Sequence, residues 1–173
     1  MLSIINKAIL AVTIVACIAQ VVYWYGRVPE IMPSHFDSNG NVDGEMGKTA
    51  FFVMMSLINV MLLIGFPILG GLLKKLPNSL INVPNKDYWL APERRTETLD
   101  FNRQFLIAIG WLSSWLMLVC IHLSCQVAVA NRQTIEPEFL LVMAAYLVAV
   151  IGSVIYLYYK FRIPQEVAEL QPR

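Results

Sequence analysis

The sequence predicts an all-α integral membrane protein: a four-transmembrane-helix up-down bundle carrying a short extracytoplasmic hairpin. Of its 173 residues, 57% are apolar and 14% charged, against about 45–50% and about 25% in soluble domains. The apolar residues are gathered into four runs, residues 4–25, 49–73, 104–130 and 139–159, each long enough for the roughly 20 residues that cross a bilayer core. Lys and Arg crowd the connections on one side of those runs. A soluble enzyme core does not fit this pattern. With 13 Lys and Arg against 12 Asp and Glu, nothing in the charge balance points to nucleic acid.

The first run is broken only by Asn6, Lys7, Thr13, Cys17 and Gln20, and leaves through Tyr23, Trp24 and Tyr25, the aromatic residues favoured at a membrane interface. Ile14, Val15, Ala16 and Cys17 resemble a lipoprotein cleavage box, but the chain stays apolar through residues 18–24, which favours a retained span. The second run carries no charge and ends on Lys74 and Lys75; Pro67 within it predicts a kink. The third has His122 as its only titratable imidazole. The fourth closes on Tyr156, Tyr158, Tyr159, Lys160 and Arg162. The whole chain, residues 1–173, reads as one membrane domain with an outer loop at 26–48 and a cytoplasmic connection at 74–103.

Orientation follows from the positive-inside rule, which counts Lys and Arg beside the spans. Lys7, the connection with Lys74, Lys75, Lys86, Arg94, Arg95 and Arg103, and the tail with Lys160, Arg162 and Arg173 share one side. Arg27, Lys48 and Arg132 lie on the other. Both termini are therefore expected in the cytoplasm.

Within the outer loop, Asn39 and Gly40 predict a tight turn with positive φ angles, folding 34–37 back on 41–43. His35 and Phe36 are expected to pin this hairpin to the ends of the spans, and Thr49 to cap the second helix through its hydroxyl. In the connection, residues 77–85 are turn-rich. Tyr88 and Trp89 suit a headgroup layer, and Pro92 suits the first turn of a charged helix running into the third span.

The outer-loop pattern of Pro33, His35, Phe36, Asp37, Gly40, Asp43 and Lys48, directly after a first span, resembles the domain of unknown function that opens SdpI-like bacterial membrane proteins. The segment PNKDYWLAPERR at residues 84–95 resembles a second signature of its small members. Together they cover about residues 2–103. The resemblance implies a multi-pass protein of the bacterial cytoplasmic membrane. The family's named example is an immunity protein against a secreted toxin that also helps signal the toxin's presence. That example has additional spans, so an immunity role comes to this chain only by analogy.

Three groups of residues are candidates for function. His35, Phe36, Asp37, Asp43 and Lys48 suit recognition of a partner or ligand. Asp37, Asn39 and Asp43 also supply oxygen donors for a divalent ion, although Val42 and Lys48 stand where a calcium loop needs Gly and Glu. Gln20, Ser114, His122, Gln126 and Tyr146 are expected to turn inward as a polar interhelical cavity, with His122 bonded to Gln20 or a Ser114-type neighbour. Asn85, Lys86, Tyr88, Trp89, Glu93 and Arg94 form the cytoplasmic motif, suited to anionic lipid or a partner protein. No cofactor is implied. The expected role is non-enzymatic: recognition of an extracytoplasmic peptide, envelope component or membrane partner, with the bilayer as surroundings and a homo-oligomer permitted. A small carrier using the polar cavity is the alternative, and an intramembrane enzyme is a second.

Overall fold

The structure is a computed structural model describing residues 4–135 and 137–163. Arg173 of the basic tail lies outside the described residues. The elements run α1 (Ile4–Tyr25), β1 (Ile31–Phe36), β2 (Val42–Gly47), α2 (Lys48–Leu72), two 3₁₀ turns (Leu73–Lys75 and Asn78–Leu80), α3 (Lys86–Trp89), α4 (Pro92–Val129) and α5 (Glu138–Lys160). Four helices are long and apolar enough to cross a membrane. The helix continues across Pro67. As its sequence anticipates, α4 starts on Pro92, where a missing backbone donor is no loss. Its 38 residues extend about 57 Å, well beyond the roughly 30 Å hydrocarbon core.

Side-chain contacts fix the helix directions. Asn6 bonds Gln104, Gln20 bonds the Leu118 carbonyl and Trp24 bonds His122, each pair separated by 98 residues. A constant separation makes α1 and α4 parallel. Ser114 bonds Asn59, and Gly70 lies against Arg103, so α2 runs antiparallel to α4. Phe101 meets Tyr156 and Ser113 bonds Tyr146, so α5 is antiparallel to α4 as well. The directions alternate up, down, up, down.

The contact between α2 and α4 is the most extensive in the bundle, and glycine makes it possible. A Cβ placed on Gly110 would lie 2.7 Å from Phe66 Cβ and 2.9 Å from the Leu62 carbonyl oxygen. Small residues at such a crossing let two backbones approach where lipid supplies no hydrophobic drive. By contrast, α5 buries none of its residues and has its main helix contact with α4.

The hairpin end differs from expectation in three respects. Only Gly40 has a positive φ, at 83°; Asn39 does not. Asp37 N–H donates to the Asn41 carbonyl and Gly40 N–H to the Asp37 carbonyl, making a three-residue loop, which needs one left-handed residue instead of two. Second, the strands extend to Ile31–Phe36 and Val42–Gly47, paired antiparallel from Ile31↔Gly47 to Phe36↔Val42, with irregularities around His35. Third, His35 is exposed, and the residue that seats the hairpin on the bundle is Met32. It is wholly buried in a cluster with Trp24, Val28, Phe51, Phe52 and Ile121, a burial worth about 2 kcal/mol. Thr49 does not cap α2. Gly47 occupies the cap position without a side-chain bond, and the Thr49 hydroxyl pairs with the Tyr25 hydroxyl at 2.9 Å.

At the opposite end the connection folds into a small cap. Ile81, Val83, Leu90, Leu99 and Phe161 form its buried centre, joining the start of α4 to the end of α5.

Gly110→Val is expected to force α2 and α4 apart and lower stability by about 1–3 kcal/mol, read as a fall in the thermal midpoint of detergent-solubilised protein. Gly152→Ala, where an added Cβ meets nothing within 4 Å, should leave the midpoint unchanged. Equal midpoints for the two variants would contradict the close crossing.

Candidate functional site

The outer hairpin is organised by Asp37. One of its carboxylate oxygens accepts from the Asn39 and Asn41 backbone N–H groups, each at 2.8 Å, and the other accepts from the Asn41 side-chain amide at 3.0 Å. This is an Asx-type turn, in which a short side chain replaces a backbone partner. The Asn41 side-chain bond, reinforced by the loop amides, holds the Asp37 pKa below the ordinary carboxylate value. Asp43 faces a different partner, the His35 Nδ1. Lys48 pairs with Glu30 at 2.8 Å and lies over the Tyr25 ring at 5.1 Å. Phe36 is partly buried at the end of β1.

The structure thus brings His35 to Asp43 but leaves Asp37 and Lys48 in separate contacts. Asn39 contributes its backbone N–H to Asp37. Among the described residues, no three His, Cys, Asp or Glu side chains gather in a group able to hold a metal ion. An Asp37 carboxylate occupied on both oxygens has little left for a cation.

A partner for this hairpin comes from a part of the sequence that gave no signal. The short connection between α4 and α5 lies beside β2: Val42 N–H donates to the Gln133 carbonyl and Ile135 N–H to the Gly40 carbonyl, both at 2.8 Å, with Asn41 bridged to Thr134. Both loops at this end therefore form one surface. Gly44 lets β1 pass closely, since a Cβ there would fall 2.9 Å from that of His35. On this surface the His35 and Asp43 side chains are 72% and 45% exposed.

The intramembrane candidates do not form a single inward cavity. Gln20 donates to the Leu118 carbonyl at 2.7 Å, Tyr146 pairs with Ser113 at 2.9 Å, and buried Ser114 bonds Asn59. His122 and Gln126 are exposed on the flank of α4. His122 Nδ1 accepts from Trp24 Nε1 at 3.2 Å, so its partner is neither Gln20 nor Ser114. The reason is the parallel alignment of α1 and α4, which sets Trp24 level with His122. Sequence reading missed Asn59, a buried amide whose Nδ2 also approaches Cys17 Sγ at 3.5 Å. Its signal was present: it is the amide inside the uncharged second run.

The motif at residues 84–95 supplies much of the cap's internal bonding. Asn85 adopts a left-handed conformation at φ 52°, which Asn tolerates. Its Nδ2 and the Trp89 Nε1 both donate to the Phe161 carbonyl at 2.8 Å. Arg94 donates to the Tyr88 carbonyl and stacks 3.9 Å over its ring. The Thr98 hydroxyl donates to the Trp89 carbonyl at 2.9 Å. Lys86 and Glu93 remain exposed.

Because Asp37 has a depressed pKa, its contribution to hairpin stability is fully present above the ordinary carboxylate value of 3.8. It is lost as pH falls through the lower folded value. Hydrogen exchange at the Asn39 and Asn41 amides should therefore accelerate on acidification to that range, beyond the intrinsic change, and Asp37→Ala should show fast exchange at neutral pH. Protection unchanged by either treatment would contradict this role.

In comparison with known proteins, a family described as a domain of unknown function, DUF1648, aligns with residues 12–60. That range holds most of α1, the whole hairpin and the first half of α2, while the PNKDYWLAPERR segment lies outside it. No curated protein and no solved structure matches the chain. The chain is a helical protein of membrane-spanning character that contains a match to a domain of unknown function.

Proposed function

We propose that this is a non-enzymatic protein of the bacterial cytoplasmic membrane, with both termini inside, whose outer face recognises an extracytoplasmic peptide, envelope component or membrane partner. The output would be immunity-like protection or signalling, in line with the resemblance to SdpI-like proteins. One observation carries the reading: two loops from separate parts of the chain join into an ordered surface. Asp37 and Met32 are committed to holding that surface, while His35 and Asp43 are displayed on it. Ordered loops on a rigid scaffold are where binding residues concentrate. The hairpin is seated through Met32 on α1, α2 and α4, so a ligand bound there would act on the helices directly.

A carrier has less support. Buried Asn59 and Ser114 bond one another, and Asn59 also reaches Cys17. His122 and Gln126 face outward, away from any enclosed path.

Photoreactive residues at Ser38 and Glu45, both exposed, should crosslink in intact cells to a discrete partner. That adduct should disappear with His35→Ala and Asp43→Asn and persist with Lys86→Gln. Photoreactive residues at Leu140 and Ile151 on α5 should give lipid adducts only. Adducts that survive loss of His35 and Asp43, or that form equally from α5, would remove this reading.

A further inference from the structure

A groove of about 340 Å³ opens beside α1 and α4 near the hairpin end, lined by Ala16, Tyr23, Trp24, Trp115, Val119 and His122 among others. Its chemistry is unusual for a lipid-facing flank. An indole N–H is a donor only, so the Trp24 bond makes His122 Nδ1 the acceptor and places the neutral imidazole's proton on Nε2. That Nε2–H has no protein acceptor among the described residues, nor does the Gln126 amide one turn further along α4 have a partner there. A donor left unpaired in an apolar medium is costly. Beside the groove, against its lining residue Tyr23, the Arg27 guanidinium stacks 4.1 Å over the Tyr23 ring and donates to the Tyr23 carbonyl. Among the described residues it has no carboxylate partner. Arg27 follows the last residue of α1, Tyr25, and its guanidinium folds back onto Tyr23, a lining residue of the groove, on the loop-end side.

We propose that this groove is a binding site for one anionic phospholipid of the leaflet at the hairpin end. Its phosphate lies at Arg27 and the Gln126 amide, which the register of α1 and α4 sets level with residue 28, an ester carbonyl accepts from His122 Nε2–H, and an acyl chain lies along Trp115, Val119 and Ala16. Depth supports the assignment: His122 is level with Trp24 in the aromatic exit of α1, and such aromatic belts mark the headgroup region. Charge complementarity selects an anionic lipid over a zwitterionic one, because the uncompensated cation at the mouth gains from a net negative headgroup. The site lies apart from the His35 and Asp43 surface and does not depend on the function proposed for it.

Trp24 and Trp115 line the groove, and with Trp89 and Trp111 replaced by Phe in every variant they alone report on it. The full chain is reconstituted in phosphatidylcholine vesicles, and tryptophan quenching is titrated with brominated phosphatidylglycerol or brominated phosphatidylcholine. The brominated phosphatidylglycerol should quench at a lower mole fraction. Arg27→Gln should reduce that preference about fivefold, the equivalent of about 1 kcal/mol, and Arg27→Lys should keep most of it. His122→Leu, or Gln126→Leu where the first variant folds poorly, should weaken quenching by both lipids while leaving their ratio intact. Equal quenching by the two lipids with Arg27 in place would overturn the proposal. So would a preference that survives Arg27→Gln, which would place it at the basic cap. Quenching that falls as protein density in the vesicle rises, with a crosslinked dimer through Trp115, would assign the groove to a second copy and equally overturn it.

Discussion

Asn59 is the point on which the helix arrangement turns. In a bilayer an amide has no water to fall back on, so a buried Asn must find its partners on neighbouring helices. Asn59 finds Ser114 on α4 and Cys17 on α1, which ties three helices at one level. With α4 as reference, that level sets the register, and the contacts above and below it, Asn6 with Gln104, Trp24 with His122 and Gly70 with Arg103, make α1 parallel and α2 antiparallel. The close approach at Gly110 follows from the same register. Each such interhelical bond is worth only about 0.6 kcal/mol on average. Its effect is specificity: an Asn59 displaced by one residue would face lipid or the apolar side chain of a neighbour.

Alternating directions bring both odd-numbered connections to the same end, and that proximity builds the candidate surface. The hairpin is short and carries Pro33 within β1, so alone it is a marginal element. It is held from below by Met32, internally by Asp37, and from the side by residues 133–135. The other end is held differently. There, the cap closes through backbone carbonyls, with Phe161 accepting from Asn85 and Trp89, and it fastens α5, which otherwise has little hold on the bundle.

The spans, the hairpin and the charged lead-in to α4 were legible because they rest on local signals: run length, a turn glycine and Pro92 at a helix start. What the sequence leaves hidden depends on which helices are neighbours. Polar residues at helical spacing show that a face exists without saying what it meets, so Ser114 and Asn59 each stand out in the sequence while their pairing does not. The inward turn expected of His122 and Gln126 failed because Trp24 satisfies one imidazole nitrogen from the side. Residues 133–135 lack any strand pattern of their own; they pair with β2 because α4 and α5 deliver them there. Likewise Asp37 was read as a possible ion ligand, yet its nearest competitors, the loop amides, already occupy both oxygens.

The single arrangement beneath all of this is that residues 26–47 and 130–135 share one end of the bundle and the basic cap lies at the other, which for helices that cross a bilayer means opposite faces. Accessibility labelling in intact cells measures it most directly, after replacing Cys17 with Ser and Cys120 and Cys125 with Ala. Single cysteines at Ser38 and Gln133, both exposed on the hairpin side, should react with a membrane-impermeant maleimide, whereas cysteines at Asn82 and Lys86, exposed on the cap side, should react only after the cells are opened. Labelling of Ser38 without Gln133, or of the cap positions in intact cells, would contradict the shared outer surface and the four-span path that creates it.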